Sequence, residues 1–274
     1  MSEPLPADLA DAFARARTRL GRLGSPVLYC SSTGSTNDVA SRAAADGSRV
    51  GTVVVADAQT AGRGRRGRTW FSPPLSGLYV SVVLDLAGSR IPGSGAPADE
   101  PGSRTRALLT LAAGVALAEG VQAATGLQAD IKWPNDLLVG SRKLAGILAE
   151  GVTARAVVLG YGINVGAAAY PPEIADRATS LESELGRPID RAALCIETLA
   201  AVARRYDDLL AGRFDAILDA WRQRSPGNVG RRVTWDTPSG SQSGITAGID
   251  ETGALLVSVG DRVERLFAGE VVWV

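Results

Sequence analysis

Three apolar, β-branched runs, at residues 52–56 (TVVVA), 78–86 (LYVSVVLDL) and 156–165 (AVVLGYGINV), constrain this chain most. Runs of this length and composition read as buried strands. The stretch 107–118 (ALLTLAAGVALA) sits inside an apolar segment expected as a buried helix over 108–124. It is too short to span a bilayer by itself. Further helices are expected at 5–23, 190–211 and 213–224, with one more running from Ser35 or Thr36 through Ala45, where a hydroxyl can cap the first turn. Past Pro226-Gly227 the pattern changes to short strands at 232–235, 244–249, 255–259 and 263–274. The chain therefore reads as an α+β fold in two parts, residues 1–226 and a small all-β unit at 227–274. Residues 88–104, dense in Gly, Pro and Ser, read as a loop or insertion.

With 274 residues the chain has room for one large core and a small satellite. Its 29 basic and 29 acidic residues cancel, so bulk electrostatics does not draw it to nucleic acid. The N-terminal stretch is amphipathic and has no apolar signal core, which points to the cytoplasm. Cys30 and Cys195 match no metal or redox spacing and are expected as reduced, buried thiols. The chain has no histidine, which removes every His-dependent base, triad and zinc site. All the basic residues except Lys132 and Lys143 are arginines. A lysine retained against that drift suggests a position where a compact ammonium is needed.

Four segments carry chemistry. Residues 62–67 (GRGRRG) match the spacing of a dinucleotide fingerprint, but Trp70-Phe71-Ser72-Pro73-Pro74 and a strand follow instead of a helix, so that reading fails. What remains is four arginines, Arg63, Arg65, Arg66 and Arg68, on a glycine backbone with no acid nearby in sequence. Such a loop is either a solvated basic turn or a wrap for a polyanion. Lys132-Trp133-Pro134-Asn135-Asp136 is followed by Lys143-Leu144-Ala145-Gly146-Ile147. A hairpin about Gly140, with strand alternation, can bring a lysine and a carboxylate to one cavity. A purely structural turn explains Trp133, Pro134 and Asp136 but not the lysines. Gly160 and Gly162 within an apolar strand mark a close approach, by a ligand or by another strand. Ser35-Thr36-Asn37 is explained by helix capping alone.

Taken in order, Ser35-Thr36-Asn37, the GRGRRGR loop before Trp70, Lys132 to Asp136, Lys143 to Ile147 and the Gly160-x-Gly162-x-Asn164 strand resemble the bacterial biotin–protein ligases, also called biotin–[acetyl-CoA-carboxylase] ligases. The resemblance implies a mixed sheet flanked by helices, of the class II synthetase-like and lipoate-ligase-like kind, with a small C-terminal SH3-like β domain. It also implies a two-step reaction: biotin and ATP, the latter with Mg²⁺, give biotinyl-5′-adenylate, and biotin then passes to a lysine of a biotin carboxyl carrier domain. No protein-bound metal is implied.

By the same resemblance Ser35, Thr36, Asn37 and Gln59 surround the head of biotin. Gly62, Arg63, Gly64 and Arg65 form the closing loop, and Gly146, Gly160 and Gly162 line the floor beside Lys143. Arg66, Arg68, Trp70, Lys132, Asn135 and Asn164 face the nucleotide, with Trp70 stacking near adenine or bracing the loop. Lys143, Arg65 and Asp136 carry the chemistry, Lys143 bridging the biotin carboxylate and the α-phosphate. The loop at 62–70 is expected to order when the adenylate forms. The segment before Val27 is too short for a helix-turn-helix domain, so the expectation is a ligase without a DNA-binding or membrane role, monomeric or weakly dimeric. A lipoate or octanoate ligase or transferase is the nearest alternative, but its usual pattern relies on a histidine. A nucleic-acid-binding module built on the arginine loop is the alternative from a different class.

Overall fold

The computed structural model describes residues 3–45, 50–86, 103–153, 155–168, 170–238 and 240–274. In chain order the first part consists of α1 (Ala7–Leu20), β1 (Val27–Cys30), α2 (Thr36–Ala45), β2 (Val53–Ala56), β3 (Gly77–Asp85), α3 (Ser103–Thr125), β4 (Asp130–Lys132), β5 (Asp136–Val139), β6 (Arg142–Gly151) and β7 (Ala156–Asn164). The short helices α4 (Pro172–Ala175) and α5 (Leu181–Leu185) follow, then α6 (Arg191–Leu210) and α7 (Phe214–Gln223). The insertion expected at 88–104 lies outside the described residues, apart from Ser103 and Arg104, which open α3.

Seven strands form one sheet in the order β1-β2-β3-β7-β6-β5-β4. Only β1 and β2 run parallel, joined by the α2 crossover, and every other pair is antiparallel. The sheet is mixed, as expected. Alternation along β7 sorts its two faces. Val157, Leu159, Tyr161 and Ile163 join the main core with α1, α3, α6 and α7, whereas Val158 packs with Ala40 of α2. The glycines of β7 and Asn164 share the α2 side, so the helices cover one face fully and leave part of the other open.

α3 is longer than expected. An 18-residue window within Arg104–Thr125 has mean hydropathy 1.5, long and apolar enough to cross a membrane by composition, yet the helix is largely buried as the central helix of the core. Gly120 lets it lie directly on α6, where a Cβ would sit 2.5 Å from the Thr198 Cα.

The second part comprises β8 (Val229–Thr237), β9 (Gly240–Ile249), β10 (Leu255–Val259), β11 (Arg262–Leu266) and β12 (Val272–Trp273), an antiparallel sheet ordered β11-β10-β9-β8-β12. The single strand expected at 263–274 is broken between Leu266 and Val272. Trp235, Leu255 and Val257 belong to the same buried cluster as α3 and α7. Trp133 pins the two sheets together, its indole N–H donating to the Gly253 carbonyl at 3.0 Å. The broken segment is thereby held against the open face of the large sheet.

Candidate active site

On that open face lies a cavity of about 450 Å³. Its floor is made of glycines. Gly146 of β6 pairs with Gly162 of β7, and a Cβ at Gly162 would collide with the Trp70 indole. A Cβ at Gly160 would collide with the Asn37 amide. The close approach read from these two glycines is therefore made by side chains of α2 and the arginine loop, over space only glycine leaves. At one end of the cavity, the buried residues Ser35, Thr36 and Asn37 open α2. The Thr36 backbone N–H donates to Gln59 Oε1 at 2.9 Å, and Gln59 Nε2 donates to Ser72 Oγ at 2.9 Å. This end is polar.

The glycine–arginine loop forms the roof. Gly64 N–H donates to Arg68 O at 2.7 Å, Trp70 N–H donates to Gly62 O at 2.8 Å, and Arg66 takes the left-handed conformation at φ 58°. The sequence placed no acid near these arginines; the fold does. Arg63 is paired with Asp38 and Glu150, both at 2.8 Å, and Arg68 with Glu270 at 2.5 Å. Mutual repulsion in the loop is thus relieved by carboxylates from α2, β6 and the C-terminal segment. Arg65 turns inward and donates to Asn135 Oδ1 at 3.2 Å and to Gly269 O at 3.4 Å. Burial lowers its pKa, partly opposed by Asp136, and Arg66 adds to the lowering.

Opposite the roof, Lys143 Nζ lies 2.7 Å from Asp136 Oδ1 and 5.4 Å from the centre of a Trp70 ring. Simple alternation does not place it there. The β5–β6 register shifts between Leu137 and Leu138, so that Ala145 pairs with Leu137 and Lys143 with Leu138, leaving Leu144 as an extra residue. That bulge turns Lys143 to the same face as Gly146. From behind, the backbone of Lys143 is held by Thr179 N–H at 3.0 Å, and Asn164 Nδ2 donates to the Thr179 carbonyl at 2.9 Å. Asn164 thus supports the lysine's strand from the floor. Lys132, opposite Asp136 across β4–β5, has its pKa lowered by burial, which Asp136 and Glu270 partly offset.

All the residues named from the sequence line this cavity except Gly62, which lies behind the loop where a Cβ would meet Ser72 Oγ at 2.6 Å. Several wall residues carried no sequence signal. Tyr170 and Arg177 close one side, and Arg231, Glu270 and Trp273 arrive from the small sheet. Trp273 has two cations against its ring, Lys132 at 5.7 Å and Arg231 at 5.2 Å. Among the described residues no group of three or more His, Cys, Asp or Glu side chains could hold a metal.

An open-faced mixed sheet with a glycine floor, an arginine roof and a paired lysine defines an acyl-activating ligase site. The profile of the Biotin/lipoate A/B protein ligase family matches residues 29–166, and the chain belongs to that family. It is 34% identical over 274 residues to the bifunctional ligase/repressor BirA of Bacillus subtilis, covering 97% of this chain and 79% of that protein. It is also 34% identical over 255 residues to the biotin–[acetyl-CoA-carboxylase] ligase of Mycobacterium tuberculosis, covering 88% and 86%. Among solved structures, the biotin protein ligase of Aquifex aeolicus in complex with biotin and ATP superposes with a TM-score of 0.75 at 26% identity, over 90% of this chain and 97% of that one.

Proposed function

We propose that the protein is a biotin–protein ligase that joins biotin to AMP and then transfers it to a lysine of a biotin carboxyl carrier domain. The observation that carries this reading is the convergence of Lys143, Lys132, Arg65 and Arg66 on one cavity whose other end is the small polar pocket of Ser35, Thr36 and Gln59. A bicyclic urea with an apolar chain fits such a pocket above a glycine floor, its carboxylate pointing toward the cations. The names of the relatives support biotin as the acyl group and a carboxylase as the acceptor's owner. The complex of the Aquifex ligase with biotin and ATP supports ATP as the second substrate.

In the first step the carboxylate attacks the α-phosphorus and diphosphate leaves. Two anions must meet, so positive charge fixed beforehand lowers the barrier without reorganisation. In this reading Lys143 bridges the carboxylate and an α-phosphate oxygen, and Arg65, which donates to Asn135 Oδ1, offsets the negative charge that develops on the phosphate. ATP arrives with Mg²⁺ as part of the substrate. In the second step an acceptor amine attacks the acyl carbon and AMP leaves. In this reading Asp136, beside Lys143, takes the amine's proton. The roof excludes water from the mixed anhydride meanwhile.

Exchange of labelled diphosphate into ATP tests the first step. Exchange that requires biotin, and is not replaced by octanoate or lipoate, is expected. Biotin-independent exchange, or none, overturns the proposal.

A further inference from the structure

We infer that Glu184, on α5 and outside every segment that carried a chemical signal, is a positioning residue that fixes Lys143 in the cavity. It grips both the residue before the lysine and the residue that closes on the lysine's backbone. For the role of Lys143 the inference rests on the biotin-ligase reading above.

The bulge at Leu144 interrupts the β5–β6 ladder beside Lys143. Both main-chain polar groups of the lysine go instead to one segment on its other side. Its N–H donates to Arg177 O at 2.6 Å, and its carbonyl accepts from Thr179 N–H at 3.0 Å. Thr179 is the hub of this contact. Its carbonyl accepts from Asn164 Nδ2 at 2.9 Å and from Tyr170 Oη at 3.3 Å, so the floor and the wall of the cavity both meet it. Thr179 is buried, and its hydroxyl therefore needs a partner inside the fold. That partner is Glu184 Oε1, which receives the Thr179 hydroxyl and, at 2.7 Å, Arg142 Nη2. Arg142 immediately precedes Lys143. One carboxylate oxygen thus ties the start of the lysine's strand to the segment beside it.

Glu184 is itself held firmly. Leu181 of α5 is fully buried, Glu182 N–H donates to Val165 O at 2.9 Å, and Glu182 Oε1 accepts from Ile189 N–H at 3.1 Å. The Glu184 carboxylate is mostly buried but its Arg142 partner is half-exposed, so the ion pair adds little to stability. What the pair supplies is position. A cation that must meet a developing charge loses rate steeply when it is displaced.

The test compares Glu184→Met, which offers no carboxylate, with Glu184→Gln, whose Oε1 can still accept from both partners. Thr179→Val removes the hydroxyl from the other side and keeps the backbone contacts; being nearly isosteric, it carries the test where E184M does not fold. The chain has two lysines, so isotope labelling at lysine Cε gives two side-chain NMR signals. Lys143 lies against Trp70 and Lys132 against Trp273, so each signal carries a ring-current shift of its own. In E184M the Lys143 signal should move toward that of free lysine while the Lys132 signal stays. The kcat for biotin-dependent diphosphate exchange should fall about tenfold, with the KM for biotin little changed. T179V should do the same, and the double variant should be no worse than either single one, because the two residues act as a unit. E184Q should restore the signal and most of kcat. An unmoved Lys143 signal or a wild-type kcat in the folded variants overturns the inference. So does a lowered melting temperature with both lysine signals displaced together, which would make Glu184 a general structural residue. A wild-type protein with no biotin-dependent exchange overturns the ligase reading, and the lysine signals then decide the positioning by themselves.

Discussion

Lys143 Nζ sits 2.7 Å from Asp136 Oδ1, on a strand aligned by the β-bulge at Leu144 and against the Trp70 indole. The pair is a charge contact: the buried Oδ1 has no hydrogen-bond partner. An ammonium held this way can leave its carboxylate for an incoming anion, and the carboxylate it leaves can serve the amine of the second step. The roles proposed for Lys143 and Asp136 depend on this exchange of partners.

Lys143→Ala should therefore abolish adenylate formation, by ~100-fold or more as for loss of a preorganised electrostatic donor. The lysine side chain is 36% exposed, so the lost ion pair should cost at most ~1 kcal/mol of stability after solvent screening. Lys143→Arg should not rescue activity, because a planar fork does not fit a slot between Asp136 and Trp70. Diphosphate exchange with a parallel melting curve checks all three outcomes.

Gly162→Ala should be worse than Gly146→Ala. At Gly162 a methyl group collides with the Trp70 indole, whereas at Gly146 it meets the ring edge at 3.0 Å. Displacing the indole should cost ~1–3 kcal/mol of overpacking strain and raise the KM for ATP. Denaturant titration and saturation kinetics of the two variants give the ranking; equal values would remove Trp70 from the floor.

Much of this site was legible locally. The arginine loop, the two lysines and the paired glycines declare themselves because their chemistry lies in contiguous residues. The remainder is tertiary. Arg231 and Trp273 reach the cavity only because Trp133 docks the small sheet, and Glu150 meets Asn37 only because α2 lies over β6. The full length of α3 was hidden because its first turn, from Ser103, grows out of a segment whose composition reads as loop. Strand alternation suggested that a lysine and a carboxylate could share a cavity, but that Lys143 is the lysine beside Asp136 is decided by one unpaired residue, Leu144.

Loop 62–70 should be cut more slowly by protease once biotinyl-adenylate is bound, and equal cleavage with and without it contradicts closure. Arg65→Ala removes the donor to Asn135 and Gly269 that ties the roof to both parts of the chain. It should shorten adenylate retention, measured by filter binding, by tenfold or so, the value of a charge-assisted hydrogen bond of ~1.5 kcal/mol. Its melting temperature should move little.

Lys132 separates function from stability. Burial holds its pKa below the ordinary 10.5, with Asp136 and Glu270 only partly compensating, so the folded chain charges this lysine at a cost. Between the depressed value and 10.5 the unfolded chain binds more protons than the folded one, and stability therefore rises with pH across that window. Below it the full penalty applies. Lys132→Met removes the penalty and keeps the stem packed beside Trp273. The variant should be as stable as the wild type or more so at neutral pH, with the difference shrinking toward pH 10.5. Its KM for ATP should rise, since a cation on the nucleotide side is gone. Urea titrations at the two pH values, beside exchange kinetics, decide it: a less stable variant with unchanged KM would make Lys132 a structural residue and not a nucleotide ligand.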